Sequence, residues 1–230
     1  MKRFIMVIVA LALIGGTLAV SAFVMLNLTA GTGEASETIS APELESTGEA
    51  TVYRIVPEES EVRFRIDEVL RGADYTAVGI TNEVAGDIAI DLTNPANSEL
   101  GLVRINVRTL ETDAGNRNQA LRSFILKSAQ DEYEFAEFQP TELVGLPETV
   151  SVGEPFSFQI VGDLTVTGVT NPVTFDAMVT LDADNRLSGQ AVTTVLYPDF
   201  NLTIPSAPFV ASVDEDVQLE IDFVAEAVSE

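Results

Sequence analysis

The chain contains no cysteine and no histidine. Those two absences exclude disulfides, thiolate nucleophiles, imidazole bases and the usual soft metal ligands together, leaving any chemistry to carboxylates and hydroxyls. Cysteine usage does not fix the compartment, because an exported domain with a large enough core folds without disulfides. Basic residues are scarce: 12 Lys and Arg face 36 Asp and Glu, for a net charge of −24. Beyond Lys2 and Arg3 the single lysine is Lys127. A nucleic-acid partner is excluded on that balance, since its phosphates would be repelled, and anionic headgroups are disfavoured for the same reason. There is no nucleophile elbow, no phosphate-cradling glycine loop and no repeat at a solenoid or propeller period. Neither a catalytic residue, a metal ion nor a cofactor is expected.

What is present divides into three stretches. Phe4 to Leu26 is uncharged, with Thr17 and Ser21 as its hydroxyl residues, and is long enough to span a bilayer as a helix. Residues 1–28 are therefore expected to form a single-pass transmembrane anchor. The competing reading is a cleaved signal peptide with its site at Val20-Ser21-Ala22, but the apolar run continues through Phe23 to Leu26 where a signal should already be polar. Lys2 and Arg3 before the run, with glutamates after it, place the rest of the chain outside the cytoplasm. Residues 29–50 are rich in Gly, Ser, Thr, Ala and Glu without Lys or Arg, and are expected to be an acidic flexible linker reaching about 25 Å.

Residues 51–230 read as one β domain. Val62, Phe64 and Ile66 alternate with Arg63, Arg65 and Asp67; Ile88, Ile90 and Leu92 with Ala89 and Asp91; Val103, Ile105 and Val107 with Arg104, Asn106 and Arg108. Each predicts a strand with one wet face. The period returns at Phe156 to Ile160, Val173 to Leu181 and Val217 to Phe223. One segment departs from it: Leu121, Phe124, Ile125 and Ser128 fall at helical spacing behind Asp113, a candidate cap, and predict a short helix. Many strands with one helix and no composition break predict an antiparallel barrel or sandwich.

Val161 to Val173, reading VGDLTVTGVTNPV and followed by the alternating Thr174 to Leu181, predicts a hairpin with bends at Gly162, Gly168 and Asn171-Pro172. Its wording resembles the signature hairpin of the YceI-like family. The likeness extends through Thr51 to Ala227: Tyr53-Arg54-Ile55 and Ser60 to Ile66 resemble the family's first strands, and Val78-Gly79-Ile80 with Gly86 to Asp91 its paired-glycine segment. Thr109 to Thr112, Asn116-Arg117-Asn118 and Leu121-Arg122-Ser123 resemble its helix, and Asp199-Phe200 its Asp-Phe. Asn118 stands where the family usually has aspartate, Glu134 where it usually has proline, and the histidine often found near the first strands is missing. The resemblance implies an all-β, antiparallel, lipocalin-like barrel with one short helix, able to hold an isoprenoid lipid or quinone in its interior.

Among candidate sites, Asp182-Ala-Asp184-Asn185 begins like a calcium loop, but Arg186 occupies the third ligand position, so an acidic hairpin turn is favoured. Asp214, Glu215 and Asp216 read as a solvated turn. Arg117 ties the helix to a neighbouring strand, or else pairs with Asp113 or reaches a ligand headgroup. Phe64, Ile66, Ile90, Val107, Phe158, Phe175 and Phe223 are core on any reading and, with Arg117, are the expected ligand-binding residues. Alternation cannot decide whether the interior is hollow or filled. The function expected is a membrane-tethered, extracytoplasmic binding protein for an isoprenoid amphiphile. The alternatives are a structural or adhesive β domain with a filled core, and a carboxylate-based glycan hydrolase.

Overall fold

The computed structural model of the chain describes residues 33–45 and 50–228. The strands are β1 (Thr51–Ile55), β2 (Glu61–Leu70), β3 (Ala73–Thr81), β4 (Val84–Ala85), β5 (Asp87–Ile90), β6 (Glu99–Leu100), β7 (Val103–Asn106), β8 (Phe135–Val144), β9 (Phe156–Val166), β10 (Val169–Leu181), β11 (Arg186–Leu196) and β12 (Val210–Ala227). Among the described residues they form one sheet in the order β4-β7-β8-β9-β10-β11-β12-β1-β5-β6, with β2 on β12 and β3 on β2. All pairings are antiparallel. The sheet curls into a half-barrel. Its curl is carried by two devices: β12 pairs with β2 through its first part and β1 through its last, with a bulge between Val213 and Val217. The run 84–90 pairs with β7 through β4 and with β1 through β5, bringing opposite ends of the strand order onto one stretch of chain.

Period two decides which residues face inward. Phe64 and Ile66 of β2, Phe158 and Ile160 of β9, Val173 to Val179 of β10 at alternate positions, and Leu219 to Phe223 of β12 share the concave face. The hairpin at 161–173 turns at Thr167 and Gly168, both with positive φ (47° and 75°), the geometry that matches the twist of flanking strands. Asn171-Pro172 is not a bend but lies inside β10, where Asn171 Nδ2 donates to the Asp199 carbonyl over 2.9 Å. Asp182 to Asn185 is a hairpin turn, the Asp182 carboxylate accepting from the backbone N–H of Asp184 and Arg186 at 2.9 and 2.8 Å.

The expected helix is present but differs in phase. Helix α1 (Gly115–Ala120) continues as a wider π turn over Leu121–Ile125, closed by Leu126 N–H donating to Leu121 O at 2.8 Å. An i→i+5 turn holds more residues than an α turn, so the apolar stripe slips by one position. Leu121 and Leu126 are buried, whereas Phe124, placed on the inner stripe by helical spacing, is 62 % exposed. Asp113 makes no cap; Ala114 occupies that position, and Asp113 accepts from Arg117 and Tyr75 instead.

Two further departures concern outer surfaces. Val107 lies beyond the end of β7 in a one-turn helix, and Asn106 and Arg108, placed on a wet face by alternation, are 0 % and 2 % exposed. What covers them includes residues 33–36, the described start of the stretch expected to be a free linker. Residues 33–45 carry no strand or helix, yet they are bonded to the domain over their length. Among the described residues no helix is long and apolar enough to cross a membrane, and the expected anchor at 1–28 lies outside them.

Candidate functional site

The concave face encloses an apolar cavity of about 320 Å³. All eight residues singled out in the sequence line it: Phe64, Ile66, Ile90, Val107, Arg117, Phe158, Phe175 and Phe223. Val107 does so from its one-turn helix rather than from a strand. The rings are ordered by one another, Phe138 meeting Phe175 edge-on at 5.0 Å and Phe156 stacking with Phe158 at 5.8 Å.

Aromatic rings would fill this interior if they pointed to its axis. Several lie flat against the wall instead, over a glycine of the neighbouring strand. Phe64 is opposite Gly79, and Phe223 opposite Gly189. A Cβ at Gly79 would sit 2.1 Å from Phe64 Cε1, and one at Gly189 2.9 Å from Phe223 Cε1. Gly162 gives the Phe138 ring the same room. The glycines therefore keep the hollow open, and a cavity so lined excludes ordered water and favours an apolar guest.

Polar groups concentrate where α1 closes one end. The Arg117 guanidinium donates to Glu68 of β2 at 2.8 Å and to Asp113 at 2.5 Å, and lies 5.5 Å above the Tyr75 ring. It thus ties helix to strand and pairs with Asp113 at once, and its edge still reaches the cavity wall. Tyr75 donates to Asp113 at 2.6 Å, which raises the phenol and lowers the carboxyl from their ordinary values. At the opposite end Pro95 and Ser98 reach the wall from a loop organised by Asp91. The Asp91 carboxylate accepts from the Thr93 hydroxyl, the Thr93 and Asn94 backbone N–H and the Asn97 side chain. Those donors, the Thr93 hydroxyl first, hold its pKa down at about 2.

Outside the cavity a second polar cluster escaped sequence reasoning. Arg108 donates to the Ser128 carbonyl at 2.5 Å, to the Glu34 carbonyl, and to Asp131 at 2.9 Å, with the buried Glu134 carboxylate 3.4 Å away. Glu134 also accepts from Asn106 Nδ2 at 2.9 Å and from the N–H and hydroxyl of Ser36 at 2.7 and 3.1 Å. Further along, Arg104 donates to the Ser40 carbonyl at 2.9 Å, Glu43 pairs with Arg54 at 3.0 Å, and Leu44 N–H donates to Asp87 at 3.1 Å. Arg54 is raised above its ordinary value chiefly by its hydrogen bond to Asp87. Four of these six contacts of 33–45 use its backbone groups, which leave no side-chain pattern to read. The trace that the sequence does hold is Glu134 itself, in a place where proline is usual for the family it resembles. Among the described residues no three acidic side chains are grouped to hold a metal ion.

Comparison with known proteins agrees with this architecture. A protein of Pectobacterium atrosepticum named UPF0312 is 31 % identical over 150 residues, covering 62 % of this chain and 70 % of its own. The crystal structure of BcnA from Burkholderia cenocepacia superposes with a TM-score of 0.59 at 16 % identity, over 74 % of this chain and 98 % of BcnA. A polyisoprenoid binding domain from Saccharophagus degradans, described as implicated in plant cell wall breakdown, superposes with a TM-score of 0.58 at 15 % identity, over 78 % and 99 % of the two chains. The model of the YceI-like domain matches residues 53–225, and with three quarters of its length so matched, this chain belongs to the YceI-like family.

Proposed function

We propose that the half-barrel acts as a lipocalin-like container that takes up the tail of an isoprenoid lipid or quinone, and that residues 1–28 tether it at the outer face of a cell membrane. The observation that carries this reading is the apolar cavity of about 320 Å³, lined by the inward residues of nearly every strand and kept open by glycines beneath aromatic rings. Burying the tail contributes about 25 cal/mol per Å² of apolar area, which for a long chain offsets the cost of fixing it. The solved structure named as a polyisoprenoid binding domain supports the same ligand class for this fold. The role is binding, not catalysis, and needs no cofactor. A structural domain with a filled core has the cavity against it.

The test is mass spectrometry of lipid extracted from the natively purified protein, against an unrelated acidic β protein prepared identically. Enrichment of polyprenyl species is expected; their absence would put the structural reading ahead. For the tether, the full chain is expected to sediment with membranes through a high-salt wash, whereas recovery of a mature N-terminus at Phe23 would show a cleaved signal.

A further inference from the structure

Three features meet at one end of the half-barrel. The first is aromatic exposure. Phe209 and Phe124 are the two most exposed large apolar side chains among the described residues, at 72 % and 62 %. Phe209 lies under the Arg71 guanidinium at the β2–β3 hairpin, and that hairpin meets α1 through Glu68–Arg117 and Tyr75–Asp113. Phe124 projects from the π turn that continues α1. The second is the cavity wall, because Leu121, Ile125 and Leu126 of the same turn line it just beneath Phe124. The third is the course of 33–45. It starts with Gly33 beside the Ala129 carbonyl, which a Cβ at Gly33 would approach to 3.9 Å, and Ala129 N–H donates to Arg122 of the π turn at 3.1 Å. It then runs away from this end, past Glu134 and Arg104 to Asp87.

The chain outside the described residues thus joins the domain at the helix end. Asn27 to Thr32, six residues, separate the apolar run from Gly33. At no more than about 3.5 Å per residue they keep Gly33 within about 25 Å of Leu26. Were 33–45 free, the reach would continue to Ala50 and either end of the domain could face the bilayer. Bonded along its length, the segment lets only the helix end do so.

We propose that the end formed by α1, its π turn and the β2–β3 hairpin is a membrane-docking face, with Phe124 and Phe209 inserted at the lipid interface and residues 33–45 acting as the strap that sets this orientation. The proposal rests on the tether reading above. A net charge of −24 means that the contact is made by apolar insertion rather than attraction to anionic headgroups.

The chain lacks tryptophan, so single-tryptophan variants report unambiguously. Full-length Phe124→Trp, Phe209→Trp and Val152→Trp are reconstituted in phosphatidylcholine vesicles with and without brominated phosphatidylcholine. Val152 is the control, 58 % exposed and at the opposite end, where Gly153 N–H donates to the end of β10. With circular dichroism confirming each fold, bromolipid is expected to reduce the emission of Phe124→Trp and Phe209→Trp and leave Val152→Trp unchanged. Equal response at both ends, or none at the helix end in protein that floats with the vesicles, overturns the docking face. Protein that does not float at all shows that the tether reading has failed and takes the docking face with it.

Discussion

Replacing Gly79 by alanine would put a methyl carbon 2.1 Å from Phe64 Cε1, where apolar carbons normally rest at about 3.5–4.0 Å. Backbone pairing fixes Gly79 opposite Phe64, so the ring must give way, and the open direction is the cavity. Overpacking of this kind costs about 1–3 kcal/mol, and a closure of well over 1 Å belongs at the upper end. For a domain of this size, about 2–4 °C per kcal/mol makes the expected fall in Tm about 6–12 °C. The same displacement reduces the room for a guest, so lipid recovered from the variant should fall as well. Gly115→Ala is the control, with nothing within 4 Å of the added carbon at the first position of α1, so Tm should not fall. Combining Gly79→Ala with Phe64→Leu should recover stability, with a coupling above about 1 kcal/mol in the double-mutant cycle. Thermal melts followed by circular dichroism decide the matter. A Gly79→Ala variant as stable as the parent, or one unaffected by Phe64→Leu, would refute the role given to the glycines.

Three other outcomes are expected. Asp91 has a folded pKa of about 2 against about 3.9 unfolded, so its contribution is complete above pH 4 and is lost as pH falls through 2; Asp91→Asn should flatten the stability curve in that window, which acid titration of Tm reads directly. Arg117→Met leaves the buried Glu68 carboxylate unpaired and should cost up to about 3 kcal/mol by chemical denaturation, most of it recovered by adding Glu68→Gln. Glu134→Ala removes the acceptor of Ser36 and Asn106 and a partner of Arg108, so residues 33–45 should become open to a glutamate-specific protease at Glu37 and Glu43 while the parent is cut slowly.

The strands were legible because a half-buried sheet writes a period of two, and the cavity-facing strand residues Phe64, Ile66, Ile90, Phe158, Phe175 and Phe223 follow from that parity. Whether the interior is hollow was not legible, since it depends on rings lying over Gly79, Gly162 and Gly189, a cross-strand arrangement that only register creates. The phase of the helix was lost at the π turn, where one extra residue moved Phe124 from the inner stripe to the surface. Alternation with Ile105 and Val107 places Asn106 and Arg108 on a wet face; their cover comes from Glu34 and Ser36, 74 and 98 residues away from the groups that bind them. Such bonds obey no local period.

The central claim, that the cavity takes an isoprenoid tail, is tested most directly by titrating the purified protein with prenols of increasing length. A favourable contribution of about 0.3 kcal/mol per heavy atom gives about 1.5 kcal/mol for each five-carbon unit, or about a tenfold gain in affinity. Kd is predicted to fall by about that factor per unit until the cavity is filled and then to level off. An affinity that does not change with tail length would contradict the account.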